Sequence, residues 1–227
     1  GTLCWLTGNL LLLQGWPVHQ IVALWIGFPL LTVAGERLEL GRFLRLSTRV
    51  TSTFVICTLV FLIGAAQSTI NYAFGMRLAG AGIVILALWL LRYDIANRRI
   101  KAGGQARFIA ISLLSGYAWL LFGGMLIVIY GGLPAGPLYD AMLHTIFLGF
   151  VFTMIFAHAP IIFPAVLQRS FTYSPRFYSH LILLHMTLIL RVTGDLLLWW
   201  PGRLWGGLLN ALVLLFFLGN TLASIRK

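Results

Sequence analysis

Apolar runs about as long as a bilayer core is thick recur along almost the whole chain, separated only by short polar clusters. A spanning helix needs about 20 predominantly apolar residues, because every backbone N–H and C=O in hydrocarbon must be satisfied within the segment. The pattern predicts eight spans: Leu3–Gln14, Val18–Gly35, Val50–Ala66, Met76–Leu91, Phe108–Tyr130, Ala141–Leu167, Phe177–Trp200 and Leu204–Ser224. The expected fold class is all-α, a polytopic integral membrane bundle of about eight transmembrane helices forming one domain over residues 1–227. The first run is too short to cross at about 1.5 Å per residue. Because it starts at Gly1, further helices are expected upstream.

Composition closes the soluble alternatives. Of the 227 residues 60% are apolar and 9% charged, against roughly a quarter charged in an ordinary soluble domain. The net charge of +11 raises the question of nucleic acid, and the placement of the basic residues answers it. Arg37, Arg42, Arg45, Arg49, Arg92, Arg98, Arg99, Lys101, Arg107, Arg169, Arg176, Arg226 and Lys227 all fall at one set of alternating connections. The opposite set holds Arg77 and Arg203. Lys and Arg are retained on the cytoplasmic side, so the charge is topological and no nucleic-acid partner is expected. The partners expected are the lipid bilayer and other membrane subunits, with the chain in a bacterial inner membrane and its C-terminus cytoplasmic.

The connections opposite the basic set, Gly15–Pro17, Gln67–Gly75, Gly131–Asp140 and Pro201–Arg203, carry the Gly and Pro that tight turns need. Trp5, Trp16, Trp199, Trp200 and Trp205 are expected near those ends, at headgroup level. The segment Glu36–Arg49 alternates leucines with charges, which fits either an amphipathic helix lying in the interface or a plain charged loop. Cys4 and Cys57 lie in apolar runs without metal or redox spacing and are read as buried thiols.

Ionisable residues at membrane depth are functional candidates. They are His144 and His158 in the sixth span, His180, His185, Arg191 and Asp195 in the seventh, and His19 at the start of the second. His144 and His158 stand fourteen residues apart on one helix, roughly 21 Å and close to four whole turns. Both imidazoles therefore share a face, one near each side of the membrane. Neutral imidazole is a good axial ligand for haem iron. By depth, His19 is the candidate partner of His144, and His185 that of His158; His180 is expected at the interface. Arg191 and Asp195 are four apart and can pair, as a structural ion pair, a haem-propionate anchor at Arg191 or a proton-pathway group at Asp195. Pro160 and Pro164 predict a kink or break at the end of the sixth span.

The stretch His144-Thr-Ile-Phe-Leu-Gly149-Phe-Val-Phe152-Thr-Met-Ile-Phe156-Ala, with the later Phe163-Pro164, resembles the tenth helix of subunit I of the haem–copper oxidases. His19-Gln-Ile-Val-Ala-Leu-Trp-Ile-Gly27-Phe is similar to that family's helix bearing one copper ligand. Position 146 is Ile where that family has its second histidine, the third span has no histidine, and Ala23 or Leu24 replaces the ligand-linked tyrosine. Copper is therefore not expected. The chain also resembles the NnrS-like polytopic proteins of nitric oxide metabolism. The resemblance implies haem b held by His144 as iron ligand, with His19, His158, His185 and Arg191 as further haem-binding candidates, in electron transfer or nitric-oxide/oxygen-related metabolism. The competing expectation is a non-catalytic scaffold subunit of a respiratory or photosynthetic complex. Transport is disfavoured because the predicted break at Pro160 and Pro164 has no evident counterpart in the first half.

Overall fold

A computed structural model describes residues 1–168 and 173–224. Arg169, Arg226 and Lys227 lie outside the described residues. The helices are α1 (Thr2–Leu13), α2 (Val18–Leu40), α3 (Thr48–Gln67), α4 (Tyr72–Tyr93), the single turn α5 (Ala96–Arg99), α6 (Gly104–Tyr130), α7 (Pro137–His144), α8 (Thr153–Leu167), α9 (Phe177–Leu196) and α10 (Trp200–Leu222). A π-helical segment, Thr145–Phe152, joins α7 to α8 in one continuous rod. There is no strand among the described residues. Seven helical stretches are long and apolar enough to cross a membrane, and α1 is a shorter apolar helix of 12 residues. The protein is an all-α integral membrane bundle whose outer surface meets lipid.

Local chemistry sets several helix starts. Ser47 Oγ accepts from Val50 N at the head of α3, and Asn71 Oδ1 from Phe74 N at the head of α4, satisfying N–H groups with no partner inside the helix. α6 is the hub, packing on α4, α7, α8 and the π-helical segment. α3 lies against α4, and α10 against α9. The α3–α4 contact is backbone on backbone: a Cβ at Gly64 would stand 2.2 Å from Ala79 N, and one at Gly82 2.5 Å from Phe61 Cα. One large core fills the α2–α8 region, and a second, built on Phe108, Phe156, Phe177 and Phe217, lies at the basic end between α6, α8, α9 and α10.

Several expectations change. α2 does not stop at Gly35 but runs to Leu40, because Arg37 turns inward and is buried. Glu36–Arg49 is thus neither a flat helix nor a simple loop: it is the last turns of α2, a 3₁₀ turn over Gly41–Leu44, and the start of α3. Pro201 and Arg203 belong to the first turn of α10, and the connection is Leu197–Trp199. Helix α8 runs through Pro160 and Pro164; the irregular backbone comes earlier, in the π-helical segment. Pro29 lies inside α2, so an intrahelical proline does exist in the first half. Trp5 sits in the first turn of α1, the end away from the Gly15–Pro17 connection, beside Phe28 of α2, 6.3 Å between ring centroids. Both cysteines are buried and free, as expected.

Candidate functional site

The sixth span carries a polar cluster at each end. At the end opposite the basic connections, α7 presents Asp140 and His144 on one face, and α9 presents Arg191 and Asp195 on another. Glycines let α10 close on them: a Cβ at Gly194 would meet Arg203 N at 2.5 Å, and one at Gly206 the Arg191 backbone at 2.6 Å. Arg191 consequently pairs with Asp140, and its Nη1 donates to the Arg203 carbonyl at 2.6 Å. Arg203 Nε donates to Asp195 Oδ1 at 2.6 Å and its Nη2 lies 4.0 Å from Asp140. Arg191 Nε faces Asp195 Oδ2 at 3.2 Å but out of line for a hydrogen bond. Two guanidinium groups and two carboxylates thus balance. The expected Arg191–Asp195 pair is present within a larger network.

His144 is held at one nitrogen. Its Nδ1 lies 2.9 Å from the Asp140 carbonyl and 3.3 Å from Asp140 Oδ1. With the proton on Nδ1, the ring keeps its Nε2 lone pair, and no hydrogen bond engages Nε2 among the described residues. Asp140, His144 and Asp195 also form a group whose ligand atoms lie within 4.8 Å of one another. The two arginines already neutralise its carboxylates.

The other histidines are placed differently. His158 Nδ1 lies 2.7 Å from the Met154 carbonyl, and Arg37 Nη2 lies 3.2 Å from His158 Nε2. A guanidinium only donates, so the Nε2 lone pair of His158 faces Arg37; Glu36 stands 3.6 Å away and pairs with Arg37. His185 accepts from Trp119 Nε1 at 3.0 Å, which leaves its Nε2–H for Ser115 Oγ at 3.1 Å. Both of its nitrogens are satisfied. His19 packs edge-on against Tyr72 at 4.8 Å. Neither His19 with His144 nor His158 with His185 is joined by a hydrogen bond or ring contact among the described residues.

His180 stands in the first turn of α9, next to the basic connection. It is fully buried, ringed edge-on by Phe108, Phe156, Phe177 and Phe217 where four helices converge, with Asn220 Nδ2 3.3 Å from its Nδ1. Gly149 admits a neighbouring helix: a Cβ there would stand 2.6 Å from Trp119 Cβ. That close approach sets the indole that holds His185.

Behind Arg37, Asp94 caps α4 and is buried, accepting from Ala96 N at 2.6 Å and the Tyr117 hydroxyl at 3.1 Å. Burial raises its carboxyl above the ordinary value, against the opposing pull of the Ala96 N–H, Arg37 and Tyr117. Asp140, Arg203, Glu36 and Arg37 fall in the predicted connections, and nothing in the sequence singles out Asp94 or Tyr117. One signal was available: Asp140 and His144 are four apart, the same spacing that marked Arg191 and Asp195.

A family model described as "Domain of unknown function (DUF8744)" matches residues 1–226, so the chain belongs to that family. Neither a curated protein nor a solved structure matches it.

Proposed function

We propose that this member of the DUF8744 family binds haem b in a bacterial cytoplasmic membrane, with its basic end and C-terminus facing the cytoplasm. One observation carries the reading. Of the two histidines on the sixth span, His144 keeps an uncommitted ring nitrogen, and its other nitrogen is anchored on Asp140. Metal-ligating histidines are typically fixed in this way, the second N–H bonded to a carbonyl or carboxylate, which sets the tautomer and raises basicity. His144 therefore fits as an iron ligand. His158 and His185 do not fit as they stand, because Arg37, Trp119 and Ser115 occupy the positions a metal would need. Arg191 is committed to Asp140, Asp195 and the Arg203 carbonyl, which argues against its anchoring a propionate.

Haem bound there supplies an iron centre for a diatomic gas or an electron. A single protein ligand favours the gas-related reading, nitric-oxide or oxygen metabolism, over bis-histidine electron transfer. Asp140 is the positioning residue, and the balanced Arg191–Asp195–Arg203 network keeps its carboxylate in place. The resemblance to NnrS-like and haem–copper oxidase helices supports the same assignment.

The second reading is a scaffold subunit of a respiratory or photosynthetic complex, associated with other membrane subunits. It draws on the charge balance of the His144 cluster, which needs no ligand to be neutral. An absorption spectrum of the purified protein separates the two. A b-type Soret and alpha band on reduction, lost in His144→Ala while the helical circular dichroism is kept, is the expected result. A wild type without bands after haem supplementation would decide for the scaffold.

A further inference from the structure

A groove of about 270 Å³ runs along the lipid-facing seam between α2 and α8 at the basic end of the bundle. Phe28, Val33, Val151, Ile155 and Ile162 form its walls, and Glu36 and His158 its polar end. The geometry points to a binding site for a lipid-soluble quinol, an aromatic ring with two hydroxyls, with one hydroxyl donating to Glu36. This inference stands apart from the haem reading, since it uses neither His144 nor the ion network at the other end.

Four features select that class. Arg37 holds Glu36 through Oε1, while no hydrogen bond engages Oε2 among the described residues, and the side chain is 49% exposed. A carboxylate oxygen takes a donor, so the ligand needs a hydroxyl or N–H at its polar end. Arg37 and Glu36 together carry no net charge, and Glu36 repels a phosphate, which disfavours an anionic phospholipid headgroup. The space is near the lower bound of small-molecule sites, about 300 Å³, which suits one ring with its tail in the seam. Finally, Glu36 lies eighteen residues along α2 from Val18, roughly 27 Å, so the polar end sits near the basic-side headgroups and the walls face hydrocarbon.

His158 shapes this end without donating to the ligand. Its Nδ1 is on the Met154 carbonyl and its Nε2 faces Arg37. Its ring fixes Arg37, which in turn fixes the Glu36 carboxylate. Glu36 is thus the group in contact, and Arg37 and His158 position it.

The test uses the full chain in lipid nanodiscs, titrated anaerobically with decylubiquinol and, separately, with oxidised decylubiquinone, against empty nanodiscs of the same lipid. Saturable uptake near one quinol per chain is expected, with the oxidised form weaker because it has no hydroxyl to donate. Glu36→Gln should weaken quinol binding about tenfold, on the order of one charge-assisted hydrogen bond. Ile155→Trp should abolish it by filling the groove from the lipid side, with both variants keeping the wild-type helical circular dichroism. Uptake equal to that of empty discs would overturn the proposal. So would saturable uptake unchanged in both folded variants, or a co-purifying phospholipid that decylubiquinol does not displace.

Discussion

At the scale of single residues, the network around Asp195 carries the largest local stake. Its carboxylate is fully buried between Arg203 and Arg191. Removing one partner of a buried ion pair typically costs roughly 3–5 kcal/mol, because a charge is left without compensation. Arg203 is 22% exposed, so solvent screening puts Asp195→Ala near the lower bound, about 3 kcal/mol. The expected outcome is a clear fall in the unfolding midpoint of Asp195→Ala. Asp195→Ala/Arg203→Ala should lie closer to the wild type than the two single losses summed. Additive losses would mean that the two side chains do not share energy. This pair illustrates what was legible. Arg191 and Asp195 share a helix face at a spacing the sequence displays, whereas Arg203 comes from a neighbouring helix. Spacing along a chain says nothing about which residues a helix crossing brings together. For the same reason Arg37 could not be matched to His158 beforehand: the two are 121 residues apart.

At the scale of elements, the tight connection between α9 and α10 builds that cluster, and its chemistry is unusual. Trp199 N donates to the Gly194 carbonyl at 2.8 Å and Leu198 N to the Asp195 carbonyl at 3.4 Å, the paired bonds of a Schellman motif. The left-handed position of that motif ordinarily belongs to glycine, but here it is Leu198, with φ +54° and 68% exposed. A left-handed L-residue costs roughly 1–2 kcal/mol, and an exposed side chain returns little of it. Leu198→Gly should therefore stabilise the protein by up to about 1 kcal/mol, the flexibility of glycine in the unfolded chain offsetting part of the gain. A lower unfolding midpoint in that variant would show that Leu198 anchors the turn in lipid. The spans themselves were readable, since apolar length is a property of the sequence. Their ends were less so: α2 gains more than a turn because Arg37 turns inward to meet His158, a tertiary effect. The π-helical segment after His144 carries no sequence mark either. A widened helix depends on what packs against it, here Trp119 in the space that Gly149 leaves open.

At the scale of the whole molecule, each end of the bundle is held together by its own set of side chains. Near the basic connections Trp89 Nε1 donates to the Val50 carbonyl and Asn220 Nδ2 to the Arg176 carbonyl. At the other end Ser68 donates to the Gln20 carbonyl and Tyr72 to the Leu133 carbonyl. Short connections force successive spans to run antiparallel, so these ends lie on opposite sides of the bilayer. The charge bias motivates the proposed orientation, because Lys and Arg resist translocation. Arg98 and Ala135 are both exposed and stand in connections of opposite type. Single-cysteine variants at each, on a background with Cys4 and Cys57 replaced, report the sidedness directly. Those native thiols are buried, and replacing them leaves one reactive site per variant. A membrane-impermeant maleimide added to intact spheroplasts should label Ala135→Cys and leave Arg98→Cys untouched until the membrane is opened. Labelling of both from the same side would break the alternation of spans. Labelling of Arg98→Cys alone would keep the alternation and invert the bundle, placing the His144 cluster on the cytoplasmic side. The two failures are distinguishable, which makes the bundle's connectivity and its orientation separately testable.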